Sequence, residues 1–320
     1  MHLFRSFSSF FLSHLNICLV YMIEHIVLSG GGQIIFNYLG IFQYLFESKY
    51  IHIDEIKSIY GTSSGSLLGA ILCLKYDWVD IVEYILKCPW ETRLKVSLDK
   101  AIRVFENNGI FDRELFIQIY KPLLSGKNMS IDVTLKEFYD YSKIDFHIYA
   151  FEMNEFEEID ISHQTHPDLK LLDAIQMSCS IPLLIKPIAM DGKYYIDGGI
   201  VANYPLHECL ESEKCDETSV FGIRVFSTRE ISSLDQSSSI SDLMMVTMKR
   251  MLQLIRKDRV YPTISNEMQM YSVGISAQHL IDALFEKDIR ETYVNEGIRT
   301  AKEYLEYRKF DSKGKLETFI

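Results

Sequence analysis

The sequence of 320 residues has no excess of basic side chains: 33 Lys and Arg stand against 44 Asp and Glu, a formal net charge of −11. Nucleic-acid binders carry a basic footprint, so no nucleic-acid partner is expected. A C-x-x-C pair is also missing. The six cysteines, at 18, 73, 88, 179, 209 and 215, are scattered, which argues against a zinc cage or a disulfide framework. They read as reduced thiols in a cytoplasmic protein, with a Cys209–Cys215 bridge left open. Residues 1–22 are apolar but broken by Ser8, Ser9, Ser13, His14 and Asn16, short of the ~20 apolar residues of a spanning helix. They read as a dispensable or targeting-like extension, and secretion through them stays open. Apolar residues are not scarce, at 48% of the chain, which excludes a disordered protein and supplies a large core. Without internal repeats, the length suits one large α/β domain.

From Glu24 the pattern is regular. EHIVLS reads as a buried strand, Gly30-Gly31-Gly32 as a turn and FNYLGIFQYLFES as an amphipathic helix. IKSIYG, the turn Thr62-Ser63-Ser64-Gly65 and SLLGAILCLKY repeat that order. Two strand-turn-helix units in tandem predict a mostly parallel central sheet with helices on both faces. Residues 79–143 read as mainly helical, with one helix starting at Gly109. Strands are expected at DFHIYAFEM, EEIDIS, KYYIDGG and SVFGIRVF, and a helix at LKLLDAIQMS. Residues 226–320 read as a mainly helical part packing on the domain at 23–225. Within it, a helix over 240–259 has Leu243, Met244, Met251, Leu252 and Ile255 on one side. Lys249, Arg250, Arg256, Lys257 and Arg259 lie largely off that side. Such a helix faces a core or, through its positive charge, makes peripheral contact with anionic lipid.

Three short motifs carry chemistry. Gly61-Thr62-Ser63-Ser64-Gly65 has the G-x-S-x-G form between a strand and a helix, where a serine stands on a sharp turn at a helix N-terminus. The triplet Gly30, Gly31 and Gly32 ends the neighbouring strand, where backbone N–H groups can converge on an anion. It fits neither G-x-G-x-x-G nor a Walker motif, because isoleucine stands at 35 and no lysine follows. Asp197, followed by Gly198 and Gly199, is a carboxylate at a strand end, and a serine hydroxyl needs such a base. His163 and His166 sit in a polar stretch and read as solvated, and no metal ligands are expected.

In this order the motifs resemble the patatin-like phospholipases, over roughly residues 24–225. Ser178-Cys179-Ser180-Ile181-Pro182 and Asn203-Tyr204-Pro205 add to the likeness. The resemblance implies a lipid acyl hydrolase that needs neither metal nor other cofactor. Ser63 would be the nucleophile and Asp197 its base, with the Gly30–Gly32 loop as oxyanion hole. One departure stands out: after the triplet the family usually has one residue, then Arg or Lys, then Gly, whereas this chain has Gln33, Ile34 and Ile35. Two alternatives remain open, a catalytically degenerate lipid-binding protein and a Ser-Asp-His esterase with His207 or His279 as base. Oligomeric state is not legible.

Overall fold

Two strand-turn-helix units open the fold, as the sequence predicts. Strand β1 (His25–Leu28) leads through the glycine triplet into helix α1 (Ile34–Glu47), and β2 (Ser58–Thr62) turns at Ser63 into α2 (Ser64–Cys73). The strands pair in parallel and every residue in both is buried, as in a sheet covered on its two faces. The computed structural model describes residues 22–94, 108–227, 261–272 and 277–311, with isolated positions between 234 and 254. The extension at 1–22 lies outside the described residues except for Met22. Most of the expected helix at 240–259 does too, and Leu243 and Met251, expected on its apolar side, are exposed.

Helices α3 (Trp78–Lys87) and α4 (Trp90–Leu94) follow, then strand β3 (Gly109–Phe111) and helices α5 (Arg113–Gly126) and α6 (Leu135–Ser142). The single helix expected from Gly109 is therefore corrected. Asp112 caps α5 by accepting the Glu114 N–H at 3.0 Å, and the three residues before it pair in parallel with β6 (Leu183–Ile185). Strands β4 (Asp145–Glu152) and β5 (Glu157–Ile161) form an antiparallel hairpin, and helix α7 (Leu171–Cys179) leads to β6. Next come β7 (Ile188–Met190), β8 (Lys193–Asp197), helix α8 (Leu206–Glu213) and β9 (Val220–Ser227).

The main sheet runs β10-β9-β1-β2-β4-β8-β7, with β5 also on β4. Strand β10 (Asn266–Ser272) is its parallel edge, and helices α9 (Ala277–Phe285) and α10 (Lys287–Asp311) follow it. The C-terminal part is thus not only helical. Asn266, Met268, Met270 and Ser272 are buried in strict alternation, a strand pattern hidden by residues of good helix propensity. Helix α10 crosses α1 in near backbone contact: a Cβ on Gly40 would stand 1.9 Å from Val294 O, and one on Gly297 2.1 Å from Asn37 O.

Cys73, Cys88, Cys179 and Cys209 are buried free thiols, Cys215 is partly buried, and Cys209 and Cys215 form no bridge. His163 is not solvated; it stacks on Tyr139 at 3.6 Å between ring centres and faces Asp145 at 3.1 Å. His166 is half-buried beside Thr165. Among the described residues no helix is long and apolar enough to cross a membrane.

Candidate active site

The site forms where two strands end against each other. Strand β5 occupies one edge of β4 from Ile148 to Glu152; the other edge is shared, with Thr62 of β2 opposite Tyr149 and Asp197 of β8 opposite Ala150. Running in opposite senses, β2 and β8 bring their C-terminal ends together within one residue step of β4. Ser63 and the Asp197-Gly198-Gly199 turn leave the sheet at that point.

Ser63 has φ 53° and ψ −119°, a region costly for a residue with a side chain. Its neighbours over-determine the turn. A Cβ on Gly65 would lie 2.3 Å from Leu28 O of β1, and one on Gly61 2.7 Å from the Gly65 carbonyl, so α2 leaves β2 at a distance only glycine permits. The Ser63 N–H donates to Ser178 Oγ at 2.8 Å, which donates in turn to Tyr149 O at 2.6 Å. Thr62 Oγ1 donates to Ala202 O at 2.6 Å. The elbow is thereby fastened to α7, to β4 and to the loop after Asp197. Ser63 stands at the positive end of the α2 dipole, favourable for a developing negative charge.

Asp197 is buried, its N–H donating to Ser180 O at 3.1 Å and its Oδ1 accepting the Gly199 N–H at 2.7 Å. Asn203 joins this turn to the glycine triplet. The Gly30 N–H donates to Asn203 O at 3.0 Å and Asn203 Nδ2 donates back to Gly30 O at 3.2 Å. A Cβ on Gly30 would stand 2.8 Å from Asn203 Oδ1 and 3.1 Å from Ser63 Cβ; one on Gly199 would stand 2.8 Å from both Asn203 Oδ1 and Asp197 Oδ1. The triplet, the serine and the aspartate therefore meet around one asparagine, which sequence reading registers only as part of a motif. The Gly30 N–H, bonded to Asn203 O, holds the loop together.

Ser63 and Gly32 open on a cavity that also touches Ile35, Leu67, Trp90, Phe116, Cys179 and Leu284 and has an almost wholly apolar lining. Burial pushes the Cys179 thiol far above its ordinary pKa, so it is an inert wall residue. Ile34, at the position where the family usually has a cation, is buried in the core, and Ile35 lines the cavity. A wider depression of mixed lining, with Glu24, Lys57 and Asp145 beside Ile56 and Tyr139, lies at the opposite ends of β1, β2 and β4, away from Ser63. Neither histidine of the triad alternative lines the Ser63 cavity. His207 is exposed on α8, 3.3 Å from Glu211. Among the described residues no group of His, Cys, Asp and Glu side chains is arranged to hold a metal.

This fold and these motifs agree with the comparisons. Residues 26–210, more than half of the chain, match the patatin-like phospholipase family, and the chain belongs to it. It is 29% identical over 183 residues to the probable lipid hydrolase 463L of Invertebrate iridescent virus 6, an overlap of 57% of this chain and 61% of that protein. It is 26% identical over 220 residues to the lysophospholipase NTE1 of Kluyveromyces lactis, which is 68% of this chain but 13% of the yeast protein. The chain thus spans only part of the length of these relatives. VipD from Legionella pneumophila shares the fold, with a TM-score of 0.52 at 16% identity over 89% of this chain and 67% of that one.

Proposed function

We propose that the protein is a serine-dependent lipid acyl hydrolase that cleaves fatty-acyl esters of phospholipids or neutral glycerolipids. The observation that carries this reading is the strained Ser63 elbow, open to an apolar cavity and joined to the Asp197 turn through Asn203. An apolar cavity beside a nucleophile suits an acyl chain, whose burial contributes about 0.8 kcal/mol per methylene.

In this reading Ser63 Oγ attacks the ester carbonyl carbon while its proton passes to the Asp197 carboxylate. The tetrahedral oxyanion accepts hydrogen bonds from the N–H groups of Gly31 and Gly32, each worth about 3–4 kcal/mol in comparable sites. The C–O bond then breaks, and the alcohol leaves with the proton from Asp197. Water attacks the acyl carbon and gives a proton to Asp197. That proton returns to Ser63 Oγ as the fatty acid departs. No step calls on a metal or another cofactor. The substrate class implies peripheral contact with a lipid surface.

The test is labelling by a fluorophosphonate probe together with fatty-acid release from mixed phospholipids and glycerides, for the protein and for Ser63→Ala. Both signals should vanish in the variant. A well-folded protein that takes up no probe and releases no acid is instead a lipid binder, and Ile34 and Ile35, which replace the family's usual cation and glycine, become the first place to look for the lost activity.

A further inference from the structure

We propose that Leu280 and Leu284 set the acyl-chain length that the cavity accepts, and that Arg290 is the positioning residue that holds them there. The inference rests on the acyl-hydrolase reading and carries it into a part of the chain, beyond residue 210, that the family match does not reach.

Leu280 and Leu284 are one helical turn apart on α9 and both line the Ser63 cavity, together with Ile85 of α3 and Trp90 of α4. Helix α9 also packs directly on α4. What fixes α9 in that place is a buried cation. Arg290, in the first turns of α10, is 2% exposed, and its guanidinium is shared among backbone carbonyls. Nη1 donates to Leu284 O at 2.6 Å, and Nη2 lies 3.3 Å from Leu86 O and 3.4 Å from Cys88 O. These carbonyls belong to the C-terminal ends of α9 and α3, where helix dipoles are negative and unpaired carbonyls need donors. The planar fork thus ties one wall residue, Leu284, to the segment that presents Ile85 and Trp90. Lysine has the charge but not the fork.

Each methylene of an acyl chain that fits the wall adds to affinity, so a larger side chain at 284 excludes carbons and a smaller one admits them. Leu284→Phe should lower the preference for long over shorter chains by about tenfold, the effect of excluding about two methylenes. Leu284→Ala should move the optimum the other way. Arg290→Lys should flatten the length preference, and a profile as steep as the parent's removes Arg290 from the proposal.

The experiment has two arms. Calorimetry on the Ser63→Ala protein measures affinity for saturated fatty acids graded from octanoic to octadecanoic acid, with and without each further substitution. The serine-bearing proteins are assayed for kcat/KM on p-nitrophenyl esters of the same acids. Opposite shifts for Leu284→Phe and Leu284→Ala support the proposal, and they do so in the binding arm even if no ester is cleaved, an outcome that would sink the hydrolase reading alone. A length profile identical to the parent's in both Leu284 variants, with Ser63-dependent hydrolysis intact, overturns the gauge and leaves the hydrolase reading standing. Absence of fatty-acid binding by the folded parent overturns it too.

Discussion

Thr62 and Asp197 stand opposite consecutive residues of β4, Tyr149 and Ala150, although the strands they end run toward each other. The next residue after Thr62 is Ser63, so the serine and the Asp197 carboxylate leave the sheet at one point. If the carboxylate takes the serine proton, Asp197→Asn keeps size and polarity but removes the base. It should lower kcat by about 10³-fold or more, with Ser63→Ala at least as severe. Steady-state kinetics on a soluble ester, with thermal melting to show intact folding, checks this. Activity of the Asp197→Asn variant within about tenfold of the parent would remove Asp197 from the mechanism.

Asn203 holds Gly30 by one main-chain and one side-chain hydrogen bond, and its side chain also reaches the Asp197 turn. Asn203→Ala removes the side-chain hydrogen bond to Gly30 O, keeps the main-chain one from the Gly30 N–H, and so loosens the glycine loop without touching Ser63. A misplacement of about 1 Å near the reacting atoms costs on the order of 10²-fold, so kcat should fall by about 10–100-fold while KM changes little. Slower covalent labelling by a fluorophosphonate, measured as a rate, is the matching readout.

Gly65 lies against β1 so closely that a methyl group would meet Leu28 O at 2.3 Å. Backbone cannot step aside as a flexible side chain can. Gly65→Ala should therefore destabilise the protein by about 1–3 kcal/mol or more, seen as a lower urea midpoint. An unchanged midpoint would mean that α2 can slide on the sheet.

His147 lies under Tyr60, ring centres 4.2 Å apart, with Nδ1 2.8 Å from Asp160 and Nε2 3.3 Å from Asp145. Burial alone would lower its pKa, but the hydrogen bonds and charges of Asp145 and Asp160 outweigh that and raise it to about 9 from 6.5. A folded pKa above the unfolded one means stability that is complete below about pH 6.5 and is lost as pH rises through about 9. Asp145 has the opposite sign. Burial would raise its pKa, yet the hydrogen bond and charge of His147, with His163 beside it, lower it, so its contribution fades on acidification below the ordinary carboxylate range. Tm should fall between about pH 7 and about pH 10 by more in the parent than in His147→Gln. Parallel curves would show that the histidine does not titrate with folding.

The elbow was legible because Gly61 and Gly65 are demanded by backbone proximity, and such demands leave a residue-type signature. The first strands were legible because both faces are covered and the apolar run is continuous. Other features have no local signature. Gly109–Phe111 needs a partner more than seventy residues later to become a strand, and β10 is spelled with Asn, Glu, Met and Gln, whose alternation outweighs propensity only after β9 is in place. The meeting of β2 and β8 is a register relation between three strands. Leu280 and Leu284 look like any apolar helix positions, and only the cavity distinguishes them. The solvated reading of His163 failed because polar neighbours in sequence turned out to be Asp145 and Tyr139 in space.

The crossing of α1 and α10 makes the segment that a family shares different from the segment that can fold. Gly40 and Gly297 allow the two helices to touch backbone to backbone, and Asn37 Nδ2 donates to Tyr293 O at 3.0 Å across the crossing. A fragment ending near residue 225 would keep the serine, the aspartate and the glycine loop. It would also bare the glycine-lined face of α1, the free edge of β9 and one side of the apolar cavity at Ser63. Such a fragment should collect in inclusion bodies and be rescued when residues 261–311 are supplied on a second chain, so the inherited motif is a dependent part of a larger cooperative unit.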